Sequence, residues 1–293
     1  MRCSPILALA LAFSGVGMVV VPDADAQTKR EVREQAEASM VLTGEIDIGT
    51  EGQVEAFRLD KRAQVDETIV TFVENAVKTW RFAPVLVNGQ AVKARTPATI
   101  RLGAKNNPDG TGLITLLAAN FETYDETSTD NVTKVKMSPP VYPEDVFNAR
   151  GRGDVLLLIQ VGRDGKVLDV ATEQVNLRVI ANEANMRKMR DKLARVSMGA
   201  ARKWTFKAPS TGDQKDEASW TIRVPVRFSF SDEVERYGRW DAYIPGPHQQ
   251  APWRSDKALS ADANANADLL PAGGVFMADA ASKAPKLLTP LGG

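Results

Sequence analysis

A duplicated pair of landmarks constrains this chain more than any other feature. Gly49-Thr-Glu-Gly52-Gln-Val54 is matched by Gly162-Arg-Asp-Gly165-Lys-Val167, and Trp80-Arg-Phe82 is matched by Trp204-Thr-Phe206. From Gly52 to Trp80 is 28 positions and from Gly165 to Trp204 is 39, so the second copy carries 11 more. We assign the excess to a longer strand-to-helix connection around Asn176 to Ala184. Recurrence of this kind reads as two copies of one supersecondary unit. The residue periods say which unit. Leu42, Gly44, Ile46 and Ile48 share one face of a strand, and Val54 to Leu59 returns as a second. After Asp66 the period lengthens: Ile69, Val73, Val77 and Trp80, with Phe72 and Ala76 beside them, predict an amphipathic helix capped by Asp66. Asn88-Gly89 marks a tight turn, Thr96 to Leu102 a third strand, and Leu113 to Phe121 a fourth paired as a hairpin.

The second copy is clearer. Val155 to Val161 is apolar on both faces, as in a central strand covered on both sides. Asp164-Gly165 predicts a two-residue hairpin loop with positive φ at both central positions. It lies between two strands, whereas a phosphate-binding glycine loop opens a helix. Met186, Met189, Leu193, Val196 and Ala200 form the apolar stripe of a second helix. Arg187, Lys188, Arg190, Lys192, Arg195, Arg202 and Lys203 decorate it, as a solvated basic face or as a docking face for an acidic partner or cell-wall polymer. Trp204 and Phe206 read as core anchors, since Trp80 and Phe82 repeat them. In Trp220 to Phe230 the apolar residues alternate strictly, and Pro225 places that strand at a sheet edge, where a missing N–H costs no ladder bond.

Composition removes whole classes of function. Lys+Arg and Asp+Glu both number 37, so no general attraction to nucleic acid or anionic lipid is implied. Cys3 and His248 are each the single residue of their type, which weighs against thiol, triad and transition-metal chemistry. No pair of carboxylates stands out by spacing. The chain reads as a non-enzyme with no catalytic residue, metal or cofactor.

Residues 1–26 read as a secretory signal peptide: Arg2, an apolar run from Ile6 to Val21, and the small-x-small Ala24-Asp25-Ala26. The alternative is an uncleaved inner-membrane anchor, for which the run is short: sixteen helical residues reach about 24 Å against a core of roughly 30 Å. Residues 27–39 form a polar lead-in, 40–121 the first domain, 122–138 a polar linker and 139–230 the second domain. From Ser231 no period persists, so residues 231–293 are expected to be mostly disordered, with Tyr237 to Trp253 lying back against a domain.

Taken in order, Pro139-Pro-Val-Tyr-Pro143, the Val155–Val175 hairpin, the basic helix ending in Trp204-Thr-Phe206 and the Trp220–Phe230 strand resemble the TonB C-terminal domain family. The resemblance implies an α+β fold: two tandem TonB C-terminal-like domains, the second the better match. Each would be a small antiparallel sheet of about three strands with one helix on a face. It also implies a periplasmic, energy-transducer-family protein linked to transport across the outer membrane. In the family, an extended segment of an outer-membrane receptor is recognised beside the Tyr-Pro motif and along the last strand. The corresponding partner-binding residues here are Pro140, Tyr142, Pro143, Trp220, Thr221, Ile222, Arg223, Val224 and Arg227. Tyr142 and the prolines equally fit a stiffened approach to the domain.

A bare edge accepts a strand from another chain, so β-augmentation by a TonB-dependent receptor or other envelope protein is the expected binding mode. A bare edge also admits a strand-exchanged homodimer. The family's full transducers keep an N-terminal membrane helix with a histidine and a long proline-rich spacer. Here the apolar segment has no histidine and the 16 prolines are scattered, so direct transduction is not expected. The competing expectation is an envelope scaffold or peptidoglycan-binding protein. It takes precedence if the margin near Trp220–Phe230 is already occupied.

Overall fold

The computed structural model describes residues 37–106, 112–230, 237–254, 266–280 and 282–291. The expected signal peptide (residues 1–26) and most of the polar lead-in lie outside them. Among the described residues the regular structure is mostly antiparallel strand, with three α-helices.

In the first half, β1 (Glu37–Ile48) turns through Gly49–Gln53 into β2 (Val54–Leu59). Met40, Leu42, Ile46 and Ile48 of β1 are buried, as their alternation requires. Helix α1 (Glu67–Lys78) starts where expected: the Asp66 carboxylate accepts the Thr68 N–H at 2.8 Å. It buries Ile69, Val70, Val73 and Val77 against the sheet, and Trp80 and Phe82 close the same core. Asn88 and Gly89, with φ of 52° and 79°, turn β3 (Val85–Val87) into β4 (Gln90–Val92). β5 (Ala94–Asn106) lies along the whole of β1, and β6 (Gly112–Asn120) pairs with β5 as the expected hairpin.

The second half repeats these contacts. β7 (Thr133–Lys136) and the short α2 (Glu144–Asn148) precede β8 (Gly153–Gly162) and β9 (Val167–Leu177). Helix α3 (Glu183–Ala201) follows, capped by Asn182, and then β10 (Thr205–Lys207) and β11 (Ser219–Phe228). β8 is central between β9 and β11. The turn geometry is shared to a tenth of an ångström: Phe82 N–H donates to Gly52 at 2.7 Å, and Phe206 N–H to Gly165 at 2.8 Å. Both glycines have positive φ, 79° and 74°, and a Cβ on either would lie 1.9 Å from the phenylalanine carbonyl oxygen. The aromatic segment crosses the turn so closely that only glycine fits.

Several expectations need correction. Asp164 is not among the positive-φ residues; only Gly165 takes up the left-handed conformation. The loop is longer than two residues, closed by Gly162 N–H to Lys166 O at 2.9 Å. The 11 extra residues are not in the connection. β9 has 11 residues against 6 in β2, and α3 has 19 against 12 in α1. Neither sheet stops at three strands: one has five and the other four. The polar linker contributes β7, which pairs with β10, and Val132 is fully buried.

Tyr237 to Trp253 lies back against the sheets as expected, and the largest departure is that the C-terminal stretch beyond it, where described, also packs onto both cores. β12 (Asp241–Tyr243) pairs with the start of β1, and β13 (Phe276–Met277) pairs with β11. Ile244 exchanges backbone hydrogen bonds with Leu177 of β9, at 2.9 and 3.0 Å. Leu287 bridges Phe82, and Leu287 and Leu291 pack on the first core. Ala251, Trp253, Ala267, Leu270, Phe276 and Ala278 cover the face of β8 that presents Leu156 and Leu158. β8 is therefore covered on both faces as its composition predicts, by α3 on one side and by the chain's own end on the other.

Candidate functional site

The outer margin of β11 is where the partner-binding expectation falls. Trp220, Ile222, Val224, Val226 and Phe228 point toward α3 and are buried in the second core. The Trp220 indole N–H donates to Gln214 O at 2.8 Å. These side chains hold the strand down and present nothing outward. Thr221, Arg223 and Pro225 face the other way and are buried beneath the C-terminal segment.

The margin itself is occupied, which overturns the expectation of an unpaired edge. Ile222 and Arg223 are in register with Met277 and Phe276. Ala278 N–H donates to Thr221 O, and Gly273 N–H donates to Pro225 O, both at 2.9 Å. Odd-numbered residues of β11 thus turn their backbone groups outward, and the missing N–H of Pro225 removes nothing from the ladder with β8. The expectation from Pro225 of an edge strand is therefore corrected: β11 lies inside the sheet, between β13 and β8, and its proline sits where no N–H is needed toward β8.

Arg223 is 3% exposed and forms a two-point ion pair with Glu173 of β9, at 2.6 and 2.7 Å. A guanidinium committed in this way cannot select a partner. Arg227 is more open, its side chain 39% exposed, and donates to Asp154 Oδ1 at 2.8 Å. Asp154 also faces Arg178 at 2.9 Å. Burial alone would push the Asp154 carboxyl up, but Arg178 and Arg227 together hold it below the ordinary aspartate range. Arg178 and Arg227 also border a cleft of about 490 Å³ shared with Lys61, Arg101 and Arg239. Asp60, Asp241, Tyr237 and Tyr243 complete its walls. Its arginines are largely satisfied inside the protein, Arg101 by Asp268 at 2.8 Å and by the ring of Tyr243, 3.8 Å away.

Pro140, Tyr142 and Pro143 are half-buried. The Tyr142 ring stacks on Phe230 at 5.8 Å and meets Phe147 and Phe228 edge-on at 5.4 and 5.2 Å. Its hydroxyl donates to Gly151 O, and Pro143 O accepts the Phe147 N–H at 2.9 Å, starting α2. In this geometry the segment stiffens the approach to β8. It also gathers Tyr142, Phe147 and Phe230 at the end of β11 that β13 leaves uncovered, beside Val141, which is 82% exposed.

Sequence reasoning missed Glu173, Asp154 and the C-terminal covering residues. Glu173 sits between Thr172 and Gln174 in a mixed polar and apolar stretch, which gave no signal that it would be buried. Nothing in the tail's composition announces Phe276 or Ala278. Among the described residues no group of three or more His, Cys, Asp or Glu is placed to hold a metal ion, and no helix is long and apolar enough to cross a membrane.

No family model matches the chain. Two curated relatives, both named Protein TonB and from two strains of Xanthomonas campestris pv. campestris, are 35% identical over 101 residues. The match takes in 34% of this chain and 39% of each relative, so the chain spans well under half the length of the relatives it matches. A solution structure of the Pseudomonas aeruginosa TonB C-terminal domain aligns with 38% of this chain and 97% of its own length. At 22% identity and a TM-score of 0.24 it adds nothing to the fold described above. Over about a third of its length, the chain is similar to part of Protein TonB.

Proposed function

We propose that this chain is an exported, periplasmic TonB-like protein with two tandem TonB C-terminal-like domains. In this reading its second domain recognises an extended segment of an envelope partner by strand addition along β11, and the partner class is an outer-membrane receptor linked to transport. One observation carries the reading: the outer margin of β11 is competent for antiparallel pairing, because it already holds an extended segment of the chain itself. Since that margin is occupied between Thr221 and Pro225, a partner binds by taking the place of β13 rather than by landing on a bare edge. Affinity then comes from outward backbone groups, and selectivity from Arg227 and the Tyr142–Phe147–Phe230 cluster, not from Arg223.

An occupied margin is the condition that gave the closed envelope scaffold precedence. Strand addition stands beside it only as an exchange that displaces the two-position pairing of β13. In the scaffold reading the chain binds peptidoglycan through the basic face of α3. Titrating the isotope-labelled chain with a receptor's periplasmic extended segment, beside a pulldown on purified cell wall, separates the two. Strand addition predicts chemical-shift changes confined to β11, β13 and the Tyr142 cluster. Retention on cell wall with no response to the segment would sink it and leave the scaffold.

A further inference from the structure

The two sheets close the outer side of their third strand very differently. β5 holds β6 over eight register positions, from Thr99 to Asn106. β11 holds β13 over two, with one further hydrogen bond at each end. β13 is preceded by Pro271-Ala272-Gly273-Gly274-Val275 and followed by Ala278-Asp279-Ala280. Gly273 has φ of 75° and open space where a Cβ would stand, so no side chain pins the turn that leads into β13.

The side chains of this short strand are more specific than its backbone. Val275 and Met277 turn toward the α3 side and join the second core. Phe276 packs with Leu156, Ala267 and Leu270, and its ring lies 6.3 Å from that of Tyr124. Ala278 packs with Leu158 and Ala251, with Trp253 against the same cluster. A Cβ on Gly274 would come within 2.6 Å of the Phe276 ring.

We propose that residues 272–279 are a built-in self-ligand for β11. The partner that replaces them is an extended segment, apolar on both faces, with a bulky residue over Leu156, a small one over Leu158, glycine two positions before the bulky one and an acid three positions after it, where Asp279 meets Arg254 at 2.9 Å. This rests on the strand-addition reading above and adds its regulation and its sequence preference. Charge before Asp279 is disfavoured because Arg223 beneath the segment is already matched by Glu173, and a further charge there would be desolvated without a partner. Bulk over Leu158 collides with the Ala251–Trp253 layer. A tethered strand competes at an effective concentration of about millimolar order, so the resting chain responds weakly to a free segment.

The test uses a labelled peptide of residues 271–279 with the full-length mature chain and its Phe276→Asp variant. The variant is expected to bind the peptide about tenfold more tightly or better, since apparent affinity scales with the open fraction. Equal binding to both proteins, or none to either, overturns the proposal. Should Phe276→Asp loosen more than β13, hydrogen exchange on the unaltered chain decides. Excess peptide must speed exchange at the Gly273 and Ala278 amides while Val224 and Val226 stay protected, and unchanged exchange at Gly273 and Ala278 overturns the self-ligand. A receptor segment that binds β11 equally in both proteins overturns the self-ligand but leaves strand addition standing. The reverse result, with the chain's own peptide bound by the variant and the receptor segment by neither, supports the self-ligand and removes the receptor.

Discussion

Arg223 reaches across β8 to hold Glu173 in a fork, Nε to Oε2 at 2.6 Å and Nη2 to Oε1 at 2.7 Å, with 3% and 1% of the two side chains exposed. The C-terminal segment seals it: Gln249 N–H donates to Glu173 O at 2.7 Å, and His248 Nε2 lies 3.2 Å from Glu173 Oε1. Two charges beneath a segment that the sequence marks as tail tie that segment's position to the core. Removing one partner leaves the other buried and unmatched. Glu173→Ala is expected to cost about 3–5 kcal/mol in denaturant unfolding, whereas a Glu173→Leu, Arg223→Leu double variant recovers most of the loss. Equal losses in single and double variants would contradict the pairing.

Asp154 sets an acid limit. Its folded pKa lies below the unfolded value because Arg178 and Arg227 outweigh the effect of burial. Its contribution is therefore fully present above the unfolded value of about 4 and is lost as pH falls through the lower folded value. Thermal melts across that range should fall more steeply for the parent than for Asp154→Asn; parallel curves would show that Asp154 is not the group responsible.

Glycine at the two turns is a steric requirement. Gly89→Ala, with open space around its Cβ, should cost only the left-handed penalty of about 1–2 kcal/mol. Gly52→Ala and Gly165→Ala should cost more, because a phenylalanine carbonyl stands 1.9 Å from the new carbon. Matching losses at all three positions would mean that the aromatic segments move aside freely.

Tyr142 joins the Tyr-Pro segment to the end of β11. Tyr142→Phe removes the hydroxyl bond to Gly151 and is expected to cost about 1 kcal/mol, with the aromatic cluster intact. Tyr142→Ala also loses the contacts with Phe147, Phe228 and Phe230, and each such aromatic pair contributes about 0.5–1.5 kcal/mol beyond its buried area. Similar losses for the two variants would show that the cluster carries no stability.

How far the sequence could be read depended on whether the information was local. The Asp66 cap, the Asn88-Gly89 turn, the stripe of α1, the alternation of β1 and β11 and the two-faced apolar run of β8 are set by neighbours a few positions away, and each appears close to where its pattern puts it. Asp164 shows the limit even there, since the choice between loop types depended on Phe206 crossing the turn. The candidate site was legible only as a strand carrying a proline. Glu173 and Arg223 stand 50 positions apart, and neither strand's pattern names the other.

The amino-acid order alone determined the local elements, the strands, the helices α1 and α3 and the glycine turns, because residue period and turn chemistry act over a few peptide bonds. Tertiary structure alone decided what lies against the outer margin of β11 and the second face of the second sheet. Those surfaces are apolar and unpaired in isolation, and a low-complexity tail held at high effective concentration buries them without any periodic signature of its own.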